Sequence, residues 1–147
     1  MKMEGICEII KRENVNKWVY FFHHFNQELT PEILEFLSNH QRIYFGEDFN
    51  QPLDNLPNSI THIEFCIYSK FNQPVENLPY SLIYLSFGKN GNFNQSLDNL
   101  PESLEFIEFG ENFNQKLDNL PLSIKKMRIP VDYEHDWPDI LDVYTRA

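Results

Sequence analysis

The sequence predicts a repeat solenoid: short parallel strands forming one curved sheet, irregular or 3₁₀ returns, and small helices mainly near the N-terminal and C-terminal caps. Two observations carry this. The phrase Phe-Asn-Gln-x-Leu-Asp-Asn-Leu-Pro, with one conservative variant, occurs at Phe49–Pro57, Phe71–Pro79, Phe93–Pro101 and Phe113–Pro121, with starts 22, 22 and 20 residues apart. A fixed period of this length marks a stack of similar coils. Each phrase is followed by Ser, an aliphatic residue and an alternating apolar pair: Ser59-Ile60-x-x-Ile63-x-Phe65, Ser81-Leu82-x-x-Leu85-x-Phe87, Ser103-Leu104-x-x-Ile107-x-Phe109 and Ser123-Ile124-x-x-Met127-x-Ile129. Alternation over so few residues indicates a half-buried strand.

The chain divides in order as one solenoid domain over 1–147. Residues 1–17 are expected to cap its N-terminal end, 18–129 to form about six coils, and 130–147 to cap the other end. The first strand is Val19-x-Phe21, followed by Phe25-Asn26-Gln27; Ile43-x-Phe45 then precedes Ile63-x-Phe65 by 20 residues. Strands are thus centred near residues 20, 44, 64, 86, 108 and 128. The first return differs. Thr30 is a candidate N-cap, Pro31 suits the first helical position, and Ile33, Leu34, Phe36 and Leu37 make a broad apolar face, so a helix is expected there. The later returns carry apolar pairs three residues apart, such as Leu53/Leu56 and Leu97/Leu100, which suit one tight or 3₁₀ turn. In the C-terminal cap, a short helix is expected from about Pro138, burying Ile140, Leu141 and Tyr144. The acidic cluster Asp132, Glu134, Asp136 and Asp139 belongs to the same cap.

Aligned by strand, Leu104-x-x-Ile107-x-Phe109-x-x-Asn112 and Leu82-x-x-Leu85-x-Phe87-x-x-Asn90 match the frame of leucine-rich repeats. Joined to the Phe-Asn-Gln and Leu-Pro-x-Ser-Leu phrases, the pattern closely resembles the FNIP repeat, a leucine-rich-repeat relative abundant in social amoebae and giant DNA viruses of amoebae. The resemblance covers 42–129 strongly and 18–41 weakly. It implies a horseshoe-like arc that binds protein. Longer relatives often carry an F-box and act as ubiquitin-ligase substrate adaptors. The residues before the first coil are too few for an F-box, so that role is a distant alternative here.

Composition narrows the function classes. A net charge of −10 argues against nucleic acid and against a polybasic membrane patch. The chain has two cysteines, Cys7 and Cys66, and no long apolar run, so a soluble, cytoplasmic protein is expected, in the host cytoplasm if the chain is viral. Thirteen Phe make burial depend on rings: Phe25, Phe49, Phe71, Phe93 and Phe113 should stack as a spine. Asn50, Asn72, Asn94 and Asn114 should form a structural ladder, because tight coils bury backbone groups that need partners. Asp48, Asn90, Asn112 and Asp132 occupy a second candidate ladder position.

No catalytic, cofactor or metal site is predicted. His23 and His24 are neighbours that a strand would point apart, and His62 and His135 have no cysteines at ligand spacing. Glu108 and Glu111 could be read as a carboxylate pair, but acidic residues are common here and a solvated surface accounts for them. Cys66 is read as an ordinary thiol.

The residues flanking each buried pair should form two outward columns. One is Trp18, Arg42, His62, Tyr84, Phe106 and Lys126; the other is Tyr20, Tyr44, Glu64, Ser86, Glu108 and Arg128. Aromatic rings and cations concentrated there resemble interface hot spots more than a solvated face. Strand propensity and cross-strand packing are the plainer alternative. The expected function is a non-enzymatic protein-interaction module acting through this face, on a host protein if viral. A structural solenoid that self-associates is the second reading, so the chain is expected to be a monomer or weak homo-oligomer.

Overall fold

The computed structural model describes residues 18–136 and the backbone of 142–145. The expected N-terminal cap and the residues around Pro138 lie outside the described residues. Strands β1 (Trp18–Phe21), β2 (Arg42–Phe45), β3 (His62–Phe65), β4 (Tyr84–Ser86), β5 (Phe106–Glu108), β6 (Lys126–Ile129) and β7 (Asp142–Thr145) form one sheet in chain order. Every adjacent pair is parallel and each coil advances the chain by one strand. Six of the strands stand where the alternating pairs place them.

The seventh corrects the expected C-terminal helix. Residues 142–145 extend and pair with β6, Met127 opposite Val143 and Arg128 opposite Tyr144. Val143, Tyr144 and Thr145 are strong strand formers, and β6 would otherwise present an unpaired edge there.

Helix α1 (Pro31–Leu37) fills the first return as predicted, burying Ile33 and Leu37 against the core while Leu34 and Phe36 pack at its margin. Thr30 stands at the N-cap without a side-chain hydrogen bond to the backbone; its hydroxyl instead holds the Glu32 carboxyl below its ordinary pKa. The later returns are plain turns rather than 3₁₀ segments. Each is closed after its Leu-Pro by the proline carbonyl, which accepts from the N–H three residues on: Ile60 to Pro57, Leu82 to Pro79 and Leu104 to Pro101, each 3.0 Å, and Ile124 to Pro121 at 3.2 Å. Proline supplies an acceptor where no donor is required. The serines of the phrase bond the preceding coil, with Ser81 Oγ 2.9 Å from Ile60 O and Ser103 Oγ 2.7 Å from Leu82 O.

The interior holds two parallel ladders of rings. Phe25, Phe49, Phe71, Phe93 and Phe113 stack at centroid spacings of 5.8–6.2 Å. Phe21, Phe45, Phe65, Phe87 and Phe109 stack on the strand side at 5.2–5.8 Å. Within a coil the two ladders touch more closely, at 3.7 Å between Phe87 and Phe93. Leu53, Leu56, Val75, Leu97, Leu100 and Leu117 close the opposite wall. Room at the strand ends is so limited that Gly88, at φ +77°, has the Cys66 carbonyl oxygen 2.0 Å from where a Cβ would stand.

The asparagine ladder forms at the first of its two candidate positions. The N–H groups of Asn50, Asn72, Asn94 and Asn114 donate to Oδ1 of Asn26, Asn50, Asn72 and Asn94, at 2.8–2.9 Å. The following glutamine of each coil adds its Nε2 to the same oxygen, at 3.0–3.2 Å. The second position forms no ladder. Asp48 binds His24, Asn112 binds the Gly91 carbonyl, and Asn90 Oδ1 is buried without a partner among the described residues.

Candidate functional site

Parallel pairing without register shift builds both predicted columns. Trp18, Arg42, His62, Tyr84, Phe106 and Lys126 stand opposite one another in turn, as do Tyr20, Tyr44, Glu64, Ser86, Glu108 and Arg128. Their inward neighbours are the core, so each strand shows one buried and one outward set.

Rings make the face nearly continuous. Trp18 packs on Tyr20 at 5.7 Å and Tyr20 on Tyr44 at 5.6 Å. His62 stacks on Tyr84 at 5.6 Å, and Tyr84 on Phe106 at 4.5 Å with planes 7° apart. Each end carries an arginine laid over a ring: Arg42 5.6 Å from Trp18, and Arg128 5.7 Å from Phe106. Cation–π attraction draws both guanidinium groups to ring faces of this surface.

Two outward positions are not solvated. Glu108 is 5 % exposed and Ser86 6 %. Ser86 Oγ donates to Glu108 Oε2 at 2.5 Å, and Arg128 Nη1 donates to Glu108 Oε1 at 3.3 Å. The solvated-surface account of Glu108 is therefore corrected: the serine and arginine of the neighbouring strands enclose it, while Glu111 is exposed. Glu64 is half-buried and its pKa is raised by desolvation, with the Arg42 charge opposing the shift. Burial also lowers the His62 pKa, assisted by repulsion from Arg42. The Tyr44 hydroxyl is pushed up to about 12, first by desolvation and then by its bond to Cys66. The face is a partly dehydrated surface on which charge is expensive unless paired.

The other candidates do not converge on a site. His24 Nδ1 lies 2.7 Å from Asp48 Oδ2 on the exposed rim, and no group of three His, Cys, Asp or Glu side chains stands at metal-binding separation among the described residues. Cys66 is a buried free thiol. A hollow of about 230 Å³ lies between two returns, lined by Ser96–Asp98 and Gln115–Leu120. Another of about 170 Å³ opens beside the strand face at Tyr20, Phe22, His23, Tyr44 and Gly46.

One feature escaped the sequence reading. Tyr133, Glu134 and His135 repeat the Phe-Asn-Gln phrase in altered residues. Tyr133 stacks on Phe113 at 6.2 Å, the Glu134 N–H reaches Asn114 Oδ1 at 3.4 Å, and His135 Nε2 lies 3.0 Å from the Asn114 carbonyl. The 20-residue step from Phe113 to Tyr133 was the available signal.

Comparison with known proteins agrees with this geometry. The FNIP Repeat family model matches residues 25–67, 49–90 and 93–130. No curated protein matches the chain. Among solved structures, the crystal structure of CroV588, described as a novel circular LRR protein, is similar at 35 % identity with a TM-score of 0.52. The alignment covers 74 % of this chain but only 20 % of that protein, so this chain spans about a fifth of its length.

Proposed function

The chain belongs to the FNIP repeat family, and on that premise we propose that it is a non-enzymatic module that binds a partner protein through the outward strand face. Solenoids of this leucine-rich-repeat type are typically protein-interaction scaffolds and generally non-catalytic. The observation that carries the reading is the run of stacked rings bounded by two ring-mounted arginines on a half-buried sheet surface. Interface hot spots combine these residue types with desolvation, and rigid rings supply contact area at low entropic cost. Packing alone accounts for rings touching along a column. It does not account for both described arginines being on the same face in so acidic a chain.

The test starts from a partner purified with the chain from its native or infected cells. Tyr84→Ala or Phe106→Ala should then weaken binding by about 1–3 kcal/mol with little change in melting temperature. Lys116→Ala and Asp98→Ala, among the returns, should leave binding unchanged. The opposite pattern would put the site on the other side of the coils.

Self-association is the second reading. Tyr80 and Leu122 follow the prolines of two returns and are 73 % and 101 % exposed, unusual for large apolar side chains. Light scattering over a concentration series separates the two: a rising mass that Leu122→Ser abolishes would favour homo-oligomers.

A further inference from the structure

We propose that the strand face accepts an extended acidic segment of a partner protein, laid across the strands with one carboxylate on Arg42, another on Arg128 and apolar side chains between them. This rests on the strand-face reading and adds the partner's chemistry to it.

Charge is the first ground. The chain has 22 acidic residues against 12 lysines and arginines, yet both described arginines stand on this face. Arg42 makes no hydrogen bond or salt bridge among the described residues; its guanidinium group lies over the Trp18 ring, 5.6 Å from the centroid, with N–H donors not taken up by a hydrogen bond. A carboxylate is the planar acceptor that fits such a fork. Arg128 directs Nη1 at Glu108, and its side chain remains 42 % exposed. The face's own acids compete poorly for a ligand's place. Glu108 is enclosed by Ser86 and Arg128, and Glu64, half-buried and drawn to Arg42 by charge, makes no hydrogen bond to it among the described residues. The net charge of −10 makes a long polyanion such as nucleic acid a poor match, whereas a few carboxylates on a peptide are tolerated.

Geometry is the second. Strands β2 and β6 are four pairings apart, so Arg42 and Arg128 are separated by about 20 Å at ~4.8 Å per strand. An extended peptide rising ~3.3 Å per residue covers that in about six residues. Side chains at i, i+2, i+4 and i+6 share one side of such a chain. Acids at i and i+6 then meet the arginines, while apolar residues at i+2 and i+4 lie over His62, Tyr84 and Phe106. The strands in between are hydrogen-bonded on both sides, so recognition falls to side chains and not to strand addition.

The probe is a fluorescently labelled, end-blocked heptapeptide Glu-Ser-Leu-Ser-Tyr-Ser-Glu, titrated with the full chain by anisotropy. Its counterpart carries Lys at both ends, and a third peptide brings the two acids two residues closer. The acid-ended peptide should bind at least about tenfold more tightly than the other two. Arg42→Gln and Arg128→Gln should each weaken it about tenfold; the melting temperature should hold for Arg42→Gln and fall for Arg128→Gln, which unpairs Glu108, so that variant is titrated well below its own transition. Equal binding of acid-ended and lysine-ended peptides, indifference to the arginine changes, or no binding by the acid-ended peptide would each overturn the inference. The strand-face reading can outlive the acid-selection inference. If Tyr84→Ala abolishes binding of either peptide while the arginine variants bind normally, the face is a docking surface without acid selection. A purified partner lost only on changes in the returns overturns both.

Discussion

Asn94 joins two coils through a single oxygen. Its Oδ1 accepts from the Asn114 N–H at 2.9 Å and from Gln115 Nε2 at 3.1 Å, and its own N–H is held by Asn72. Asn94→Leu should therefore cost about 1–3 kcal/mol in chemical denaturation, because it strands two donors. Asn94→Asp keeps the acceptor and should cost clearly less at neutral pH. An unchanged midpoint for the leucine variant would mean that water replaces the ladder bond. Glu64 works in the other direction. Desolvation raises its folded pKa above 4.5, so the stability linked to its neutral form is complete below that value and is lost as pH rises through the folded pKa. Glu64→Gln, which is neutral at every pH, should melt higher than wild type at pH 7, and the gap should close as pH falls towards 4. A variant that melts lower at pH 7 would show that attraction to Arg42 outweighs the burial penalty.

Strands were readable from sequence because alternate residues are forced to opposite sides, and the period of about 20 fixed their mutual register. The outward columns followed from the same alternation. The burial of Glu108 did not, since an acid's environment depends on its cross-strand neighbours, Ser86 and Arg128, rather than on its own type. The end of the solenoid was misread for a related reason. Ile140, Leu141 and Tyr144 have helical spacing, but the open edge of β6 offers backbone partners that an isolated short helix cannot match. Tyr133-Glu134-His135 keeps the geometry of the phrase with none of its letters. Deleting residues 131–147 removes both this last partial coil and β7. It should bare Phe113, Ile124 and the β6 edge, and produce aggregation visible by size exclusion. A truncated chain that remains monomeric would show that coil 113–130 seals the core unaided.

Among the described residues every strand pairs only with its sequence neighbours, so stability should be a sum over coils and the junctions between them. The same order leaves one face of the sheet free to collect side chains from all coils into a single surface. The ring spine offers a direct measure of the first property. Phe71 and Phe93 are in contact at 6.1 Å, whereas Phe49 and Phe113 are two coils further apart, separated by those two rings along the spine. In a double-mutant cycle, Phe71→Leu with Phe93→Leu should show a coupling of at least about 0.5 kcal/mol, because each truncated side chain loses part of its packing partner. Phe49→Leu with Phe113→Leu should add to within about 0.5 kcal/mol, since no contact or cavity is shared. Strong coupling of the distant pair would mean that strain passes through intervening coils and that the solenoid responds as one rigid core. Independence of the adjacent pair would mean that the rings fill space within each coil and contribute little to holding the coils together.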